Sequence, residues 1–146
     1  MRIYLDLCTI QRPFDDPSQR RIRDETEALY RILERVREGA LELVGSFALD
    51  FESSASSDPV KRGYTSAVLD LANERLQPSA VAQRRADLYK AEGLQGWDAM
   101  HLAVAVEARV DFLCTCDDRF LRRARTADTG LTRAVSMLEL IEEVDE

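Results

Sequence analysis

Four short apolar runs, separated by segments of helical period, fix the class of fold open to this 146-residue chain. They are RIYLDL (residues 2–7), LELVG (41–45), FLCTC (112–116) and AVS (134–136). From about Ser18 to Glu38, Ile22, Leu29, Leu33 and Val36 recur at helical spacing, and Gly39 supplies the stop. Ser46 caps a short helix with Phe47, Ala48, Phe51 and Ala55 on its apolar side. Pro59 opens a helix expected to run to about Arg75, and another is expected from Ser79 to Glu92, ending at Gly93. Trp97 to Ala108 is strongly apolar, and short helices are expected at 119–125 and 137–144. Strands alternating with helices imply a parallel sheet covered on both faces, an α/β fold. The small polar stretch from Ser53 to Pro59 reads as a loop, so one domain is expected over 1–146.

With 45% hydrophobic and 32% charged residues, the chain can bury a core and stay dissolved. No apolar run approaches the roughly 18 residues of a membrane span, and MRIYLDL turns acidic too soon for a signal peptide. A cytoplasmic protein without membrane contact is expected. Cys8, Cys114 and Cys116 form no disulfide framework and lack a fourth zinc ligand; small buried thiols are the plain reading. A net charge of -7 argues against nucleic-acid binding by global attraction. Its distribution matters more. Of 20 basic residues only Lys61 and Lys90 are lysine, and arginines gather at Arg20, Arg21 and Arg23 and again at Arg119, Arg122, Arg123 and Arg125. Arginine suits bidentate phosphate contacts, although solvated helix faces account for such clusters equally well.

The chemistry concentrates in acids at strand ends and helix starts, where a parallel α/β sheet places its crevice. Asp6 ends the first strand, Asp117 and Asp118 follow FLCTC, Asp98 opens an apolar helix, and Asp50 and Glu52 lie on the helix after the second strand. Asp98 alone could complement a helix dipole. Asp118 fits an N-cap, leaving Asp117 to the crevice. Periodicity does not choose between Asp50 and Glu52. Asp6, between Leu5 and Leu7, is hardest to explain by structure alone. Carboxylates crowded into one crevice repel one another, and a hard divalent cation, Mg²⁺ or Mn²⁺, removes that penalty. Such sites serve phosphoryl chemistry. An Asp-x-Asp-x-Thr phosphatase signature is absent, since Asp6 is followed by Leu7, Cys8, Thr9 and Ile10; no lysine follows a late strand, as a receiver domain would need.

IYLD, SFALDFE, WDAMHLA and TCDDRFL in this order resemble the PIN-domain family, and in particular the VapC-like ribonuclease toxins of bacterial toxin–antitoxin pairs; DAMHLA (98–103) and TCDDRF (115–120) are the most specific pieces. The resemblance spans essentially the whole chain. It implies a single PIN-like domain with a central parallel five-stranded sheet flanked by helices on both faces, and Mg²⁺- or Mn²⁺-dependent cleavage of RNA. By position it implies an acidic pocket of Asp6, Glu52, Asp98 and Asp117, with the metal on Asp6, Asp98 and Asp117. It further implies a substrate-orienting Thr115, an antitoxin protein as partner, and a homodimer. Arg12, Arg119 and Arg122 are expected to hold flanking phosphates. His101, one turn after Asp98, reads as a packed, hydrogen-bonded helix residue. The family often carries Asn or a hydroxyl just after the first Asp; here Leu7 and Cys8 follow, with Thr9 and Gln11 beyond. The expected function is an endoribonuclease toxin. The alternatives are a catalytically silent PIN-like protein-binding module and, third, a metal-dependent phosphatase.

Overall fold

A computed structural model describes residues 1–145; Glu146, the last residue of the expected domain, lies outside the described residues. Strands β1 (Arg2–Leu5), β2 (Glu42–Ser46), β3 (Glu74–Leu76), β4 (Phe112–Cys114) and β5 (Arg133–Val135) form one sheet in the order β3-β2-β1-β4-β5. Every pairing is parallel, with Ile3 opposite both Leu43 and Phe112. Ile3, Tyr4 and Leu5 are all buried, with no alternation along the strand. That pattern follows from helices covering both faces of a parallel sheet.

The helices among the described residues are α1 (Leu7–Ile10), α2 (Arg20–Arg37), α3 (Phe47–Ser54), α4 (Pro59–Leu69), α5 (Ala80–Ala91), α6 (Trp97–Glu107), α7 (Asp118–Thr126) and α8 (Met137–Val144). Helix α2 buries Ile22, Ala28, Leu29, Ile32, Leu33 and Val36 along one stripe. Helix α6 is different: Ala99 to Ala105 are buried all round it. It packs against both α5 and α3, so its apolar sequence reflects a central position rather than an amphipathic face.

Three expectations are corrected. The first strand stops at Leu5, and Leu7 already belongs to a helix. The fourth stops at Cys114, leaving Thr115 and Cys116 in the loop beyond it. Helix α4 ends at Leu69 rather than near Arg75, and Glu74 to Leu76 instead form the edge strand β3. Those three residues are largely exposed, so they carry none of the apolar signal of a buried strand. Pairing with β2 sets their conformation: Asn73 donates its backbone N–H to the Leu43 carbonyl at 2.8 Å. Arg2 reaches Glu74 across the sheet at 2.8 Å.

The chain passes from β1 outward to β2 and β3, then returns to the other side of β1 for β4 and β5. The reversal lies between β1 and β4. Ligand crevices of open parallel sheets form at that point, beyond the strands' carboxyl ends. Asp6 follows β1 there, and Thr115 to Asp117 follow β4.

Candidate active site

Asp6 is only 3% exposed. It is the N-cap of α1, its Oδ1 accepting the Thr9 backbone N–H at 3.1 Å. Its place between two leucines therefore has a structural basis that strand periodicity alone missed. The Cys8 thiol donates to both carboxylate oxygens, at 3.2 and 3.3 Å. Burial raises the Asp6 pKa. Thr115, Thr9, His101 and the Cys8 thiol act in the opposite direction.

At the end of β4 the capping assignment is reversed. Asp117, not Asp118, is the N-cap of α7; its Oδ1 accepts from the backbone N–H groups of Arg119 (2.9 Å) and Phe120 (3.2 Å). Its extended backbone places it just outside the helix, whereas Asp118 is already helical. Asp118 turns to Arg21, which grips both its oxygens at 2.8 and 2.9 Å. The Asp117 Oδ2 makes no hydrogen bond among the described residues, so capping leaves one oxygen for the crevice. Thr115 is buried and accepts the Asp117 N–H on its hydroxyl at 3.1 Å.

Glu52 and Asp50 separate clearly. Asp50 is exposed in the first turn of α3, while the Glu52 carboxylate lies 2.7 Å from His101 Nε2. His101 is 1% exposed, and its Nδ1 lies 2.6 Å from the Tyr4 hydroxyl, which is 2.7 Å from Ser46 Oγ. One assignment of protons satisfies every atom. Ser46 accepts the Leu49 N–H and donates to Tyr4; Tyr4 donates to Nδ1; Nε2–H donates to Glu52. Burial raises the Tyr4 pKa, which keeps the phenol a donor. The chain Ser46–Tyr4–His101–Glu52 thus orients the Glu52 carboxylate from within the core. Tyr4 and Ser46 were not anticipated as site residues. A phenol in a fully buried strand that must find a partner was the available signal.

Asp98, in the first turn of α6, shows what this assembly does to charge. Its pKa is pushed up to about 6, first by burial, then by the negative charge of Asp6, with smaller contributions from Asp117 and Glu52; His101 opposes them. Asp98 thus feels the charge of each of the other three expected acids. Among the described residues none of the four is paired with Arg or Lys. Equally, no three His, Cys, Asp or Glu side chains among the described residues close around a common point tightly enough to hold an ion by themselves. A donor set of this kind fits Mg²⁺, which binds through one or two carboxylates, keeps waters and takes substrate phosphate oxygens. It does not fit zinc, which wants a closed nitrogen and sulfur set.

The surrounding cations fall into two groups. Arg12 donates to the buried Glu25 at 2.7 Å and to Asp15 at 3.0 Å. Arg119 and Arg122, at the start of α7, are exposed and make no ion pair among the described residues. Gln11 bonds the Thr65 hydroxyl of α4 at 3.0 Å. The cysteines are free, with Cys8 and Cys116 sulfurs 2.9 Å apart beside Asp6. On the outer flank, Phe51 of α3 and Trp97 of α6 lie parallel, their ring centroids 6.3 Å apart; nothing in the sequence pairs them.

Comparison of the sequence with protein-family models and with curated proteins gives no match. Among solved structures, the chain is similar to one in the crystal structure of VapBC2 from Rickettsia felis bound to a DNA fragment from their promoter. The TM-score is 0.58 at 13% sequence identity, over 92% of this chain and 99% of that one. Among the described residues no helix is long and apolar enough to cross a membrane. A five-stranded, all-parallel sheet in the order β3-β2-β1-β4-β5, flanked by helices and matched to that structure over nearly its whole length, gives this chain the PIN-like fold.

Proposed function

We propose that the chain is a metal-dependent endoribonuclease that hydrolyses phosphodiester bonds of RNA, and that it is the toxin of a toxin–antitoxin pair with a cognate antitoxin protein as partner. The observation that carries the reading is Asp98: a carboxyl raised to about 6 by burial and by neighbouring acids, with no Arg or Lys paired to it among the described residues. Such an uncompensated field calls for a cation from outside the chain. The toxin assignment rests on the likeness of fold to the VapBC2 structure.

Asp6, Asp98 and Asp117 would hold Mg²⁺ or Mn²⁺ together with waters and a substrate phosphate. When bound, the ion would polarise the phosphodiester and lower the pKa of a coordinated water. Glu52, held by His101, would accept a proton from the attacking water. Thr115 fixes the Asp117 backbone and helps hold Asp6 ionised. Arg119 and Arg122, unpaired among the described residues, would hold flanking phosphates, while the Arg12 guanidinium is already answered by Glu25 and Asp15. The chain is acidic overall, so substrate affinity depends on the ion and on these local arginines.

The test is cleavage of single-stranded RNA with Mg²⁺ or Mn²⁺, wild type against Asp6→Ala and Asp98→Ala. Loss of cleavage in both variants and in EDTA is expected; undiminished cleavage in either condition rejects the reading. One observation favours a second reading, a catalytically silent PIN-like module that binds a protein partner: among the described residues no three ligands enclose an ion unaided. Calorimetry with Mn²⁺ separates the two, because a module without metal affinity cannot run this chemistry.

A further inference from the structure

Glu25 is a buried carboxylate that the proposed chemistry leaves unused. It lies on α2, outside the acid cluster, with its side chain 3% exposed. Its Oε1 accepts from two guanidinium groups, Arg12 at 2.7 Å and Arg21 at 3.1 Å. A buried carboxylate is costly without its partners, so both arginines are held against it.

The two arginines lead toward the segments that follow β1 and β4. Arg12 stands in the short 3-10 helix Arg12–Phe14, next after the helix that Asp6 caps. Arg21 reaches the segment beyond β4. Its Nη2 donates to the Cys116 carbonyl at 3.1 Å and to Asp118 Oδ1 at 2.8 Å, and its Nη1 donates to Asp118 Oδ2 at 2.9 Å. Asp117 lies between those two residues. The Thr115 hydroxyl and the N–H groups of Arg119 and Phe120 hold Asp117 within its own segment. Arg21 ties that segment to a different helix. With the bond to Glu25, all three of its guanidinium nitrogens are engaged, in directions that only a rigid fork can serve together. Arg21 is thus committed to the protein itself, unlike Arg119 and Arg122, which make no ion pair among the described residues.

From this we infer that Arg21, anchored on Glu25, is a positioning residue: by holding Cys116 and Asp118 it sets Asp117 for the metal ion, without itself touching ion or substrate. The inference rests on the nuclease reading, in which Asp117 is a ligand, and adds to it the support on which that ligand depends. Hydrogen bonds that orient metal ligands are worth on the order of ten- to a hundredfold in metal affinity.

Charge and position act on the ion with opposite sign. Removing a cation from beside an acidic site should, by Coulomb attraction alone, tighten the binding of a divalent ion. Loss of positioning should loosen it. The experiment is Mn²⁺ titration calorimetry on the full chain, wild type against Arg21→Ala and Arg21→Lys. The Arg21 side chain is 50% exposed, so truncating it opens no cavity in the core. About tenfold weaker binding is expected in Arg21→Ala, and a smaller loss in Arg21→Lys, which keeps the charge but not the fork. In cleavage assays at saturating Mn²⁺, Arg21→Ala should lower kcat and leave KM for RNA unchanged. Equal or tighter Mn²⁺ binding in Arg21→Ala overturns the proposal. A raised KM beside unchanged Mn²⁺ affinity does so too, and would make Arg21 a phosphate contact instead. A readout without metal is amide hydrogen exchange in EDTA at Arg119 and Phe120, whose N–H groups bond Asp117. Faster exchange in Arg21→Ala is expected. Exchange that depends on Arg21 in a chain that binds no Mn²⁺ would reject the nuclease and keep the positioning of Asp117; Mn²⁺ binding and amide exchange both unchanged in Arg21→Ala would do the reverse.

Discussion

At the scale of single residues, burial holds two of the expected acids, Asp6 and Asp98, away from their ordinary state. The folded pKa of Asp98 stands near 6, against 3.8 for an unperturbed group. Between those values the folded chain keeps a proton that the unfolded chain releases, so stability falls as pH rises through this window. Asp98→Asn should therefore stabilise the protein by about 1 kcal/mol at pH 7, after allowance for partial exposure, and flatten the pH dependence of its melting temperature between pH 4 and 6. An unchanged or lower melting temperature at pH 7 would contradict the crowding of charge described above. Tyr4 makes the opposite case. Its hydroxyl lies 2.7 Å from Ser46 and 2.6 Å from His101 inside the core, so Tyr4→Phe strands two buried groups at little change in volume. A loss of about 1–3 kcal/mol in urea unfolding is expected. Asp6 and Asp98 were legible in the sequence because an acid at the end of an apolar run or the start of an apolar helix stands out. The Tyr4–His101–Glu52 chain was not, since it joins residues from three elements that only the folded sheet brings together.

At the scale of elements, strand and helix order was readable wherever a cap, a proline or an apolar stripe marked it. Ser46, Ser79 and Gly93 each stand at a helix boundary in the structure as the sequence reading expected. Strand β3 escaped because nothing local defines it: its residues are polar and exposed, and β2 dictates their conformation. The exchange between Asp117 and Asp118 has the same origin. Two adjacent acids satisfy the same capping preference, and Arg21 on a distant helix decides between them. Elements are also joined through charge. Glu25 of α2 is buried and accepts from Arg12 at 2.7 Å and from Arg21 at 3.1 Å. Arg12→Ala should cost about 2–3 kcal/mol, because it leaves that carboxylate underpaired while Arg21 remains. A double-mutant cycle with Glu25→Gln measures the coupling; an additive result would show that the contact carries no energy.

At the scale of the whole molecule, Asp6 and Asp117 follow the two strands between which the strand order reverses. Under the proposed reading a divalent ion binds the folded state alone and must stabilise it. Saturating Mn²⁺ should raise the melting temperature by the equivalent of about 2–3 kcal/mol at a hundredfold excess over its dissociation constant, and EDTA should reverse the shift. Asp98→Asn should show a smaller response; an equal one would place the ion elsewhere. The likeness of fold to the VapBC2 structure was foreseeable from short acidic motifs in the right order, even at 13% identity, because those motifs mark strand ends rather than surface. The central strand β1 is the first of the five in the chain, yet its two neighbours start at residues 42 and 112. A polypeptide emerging from the ribosome thus carries Asp6 well before the β4 side of the crevice has been made. Under the proposed reading, a nascent chain that stops before β4 has only one wall of the crevice and is expected to cut nothing.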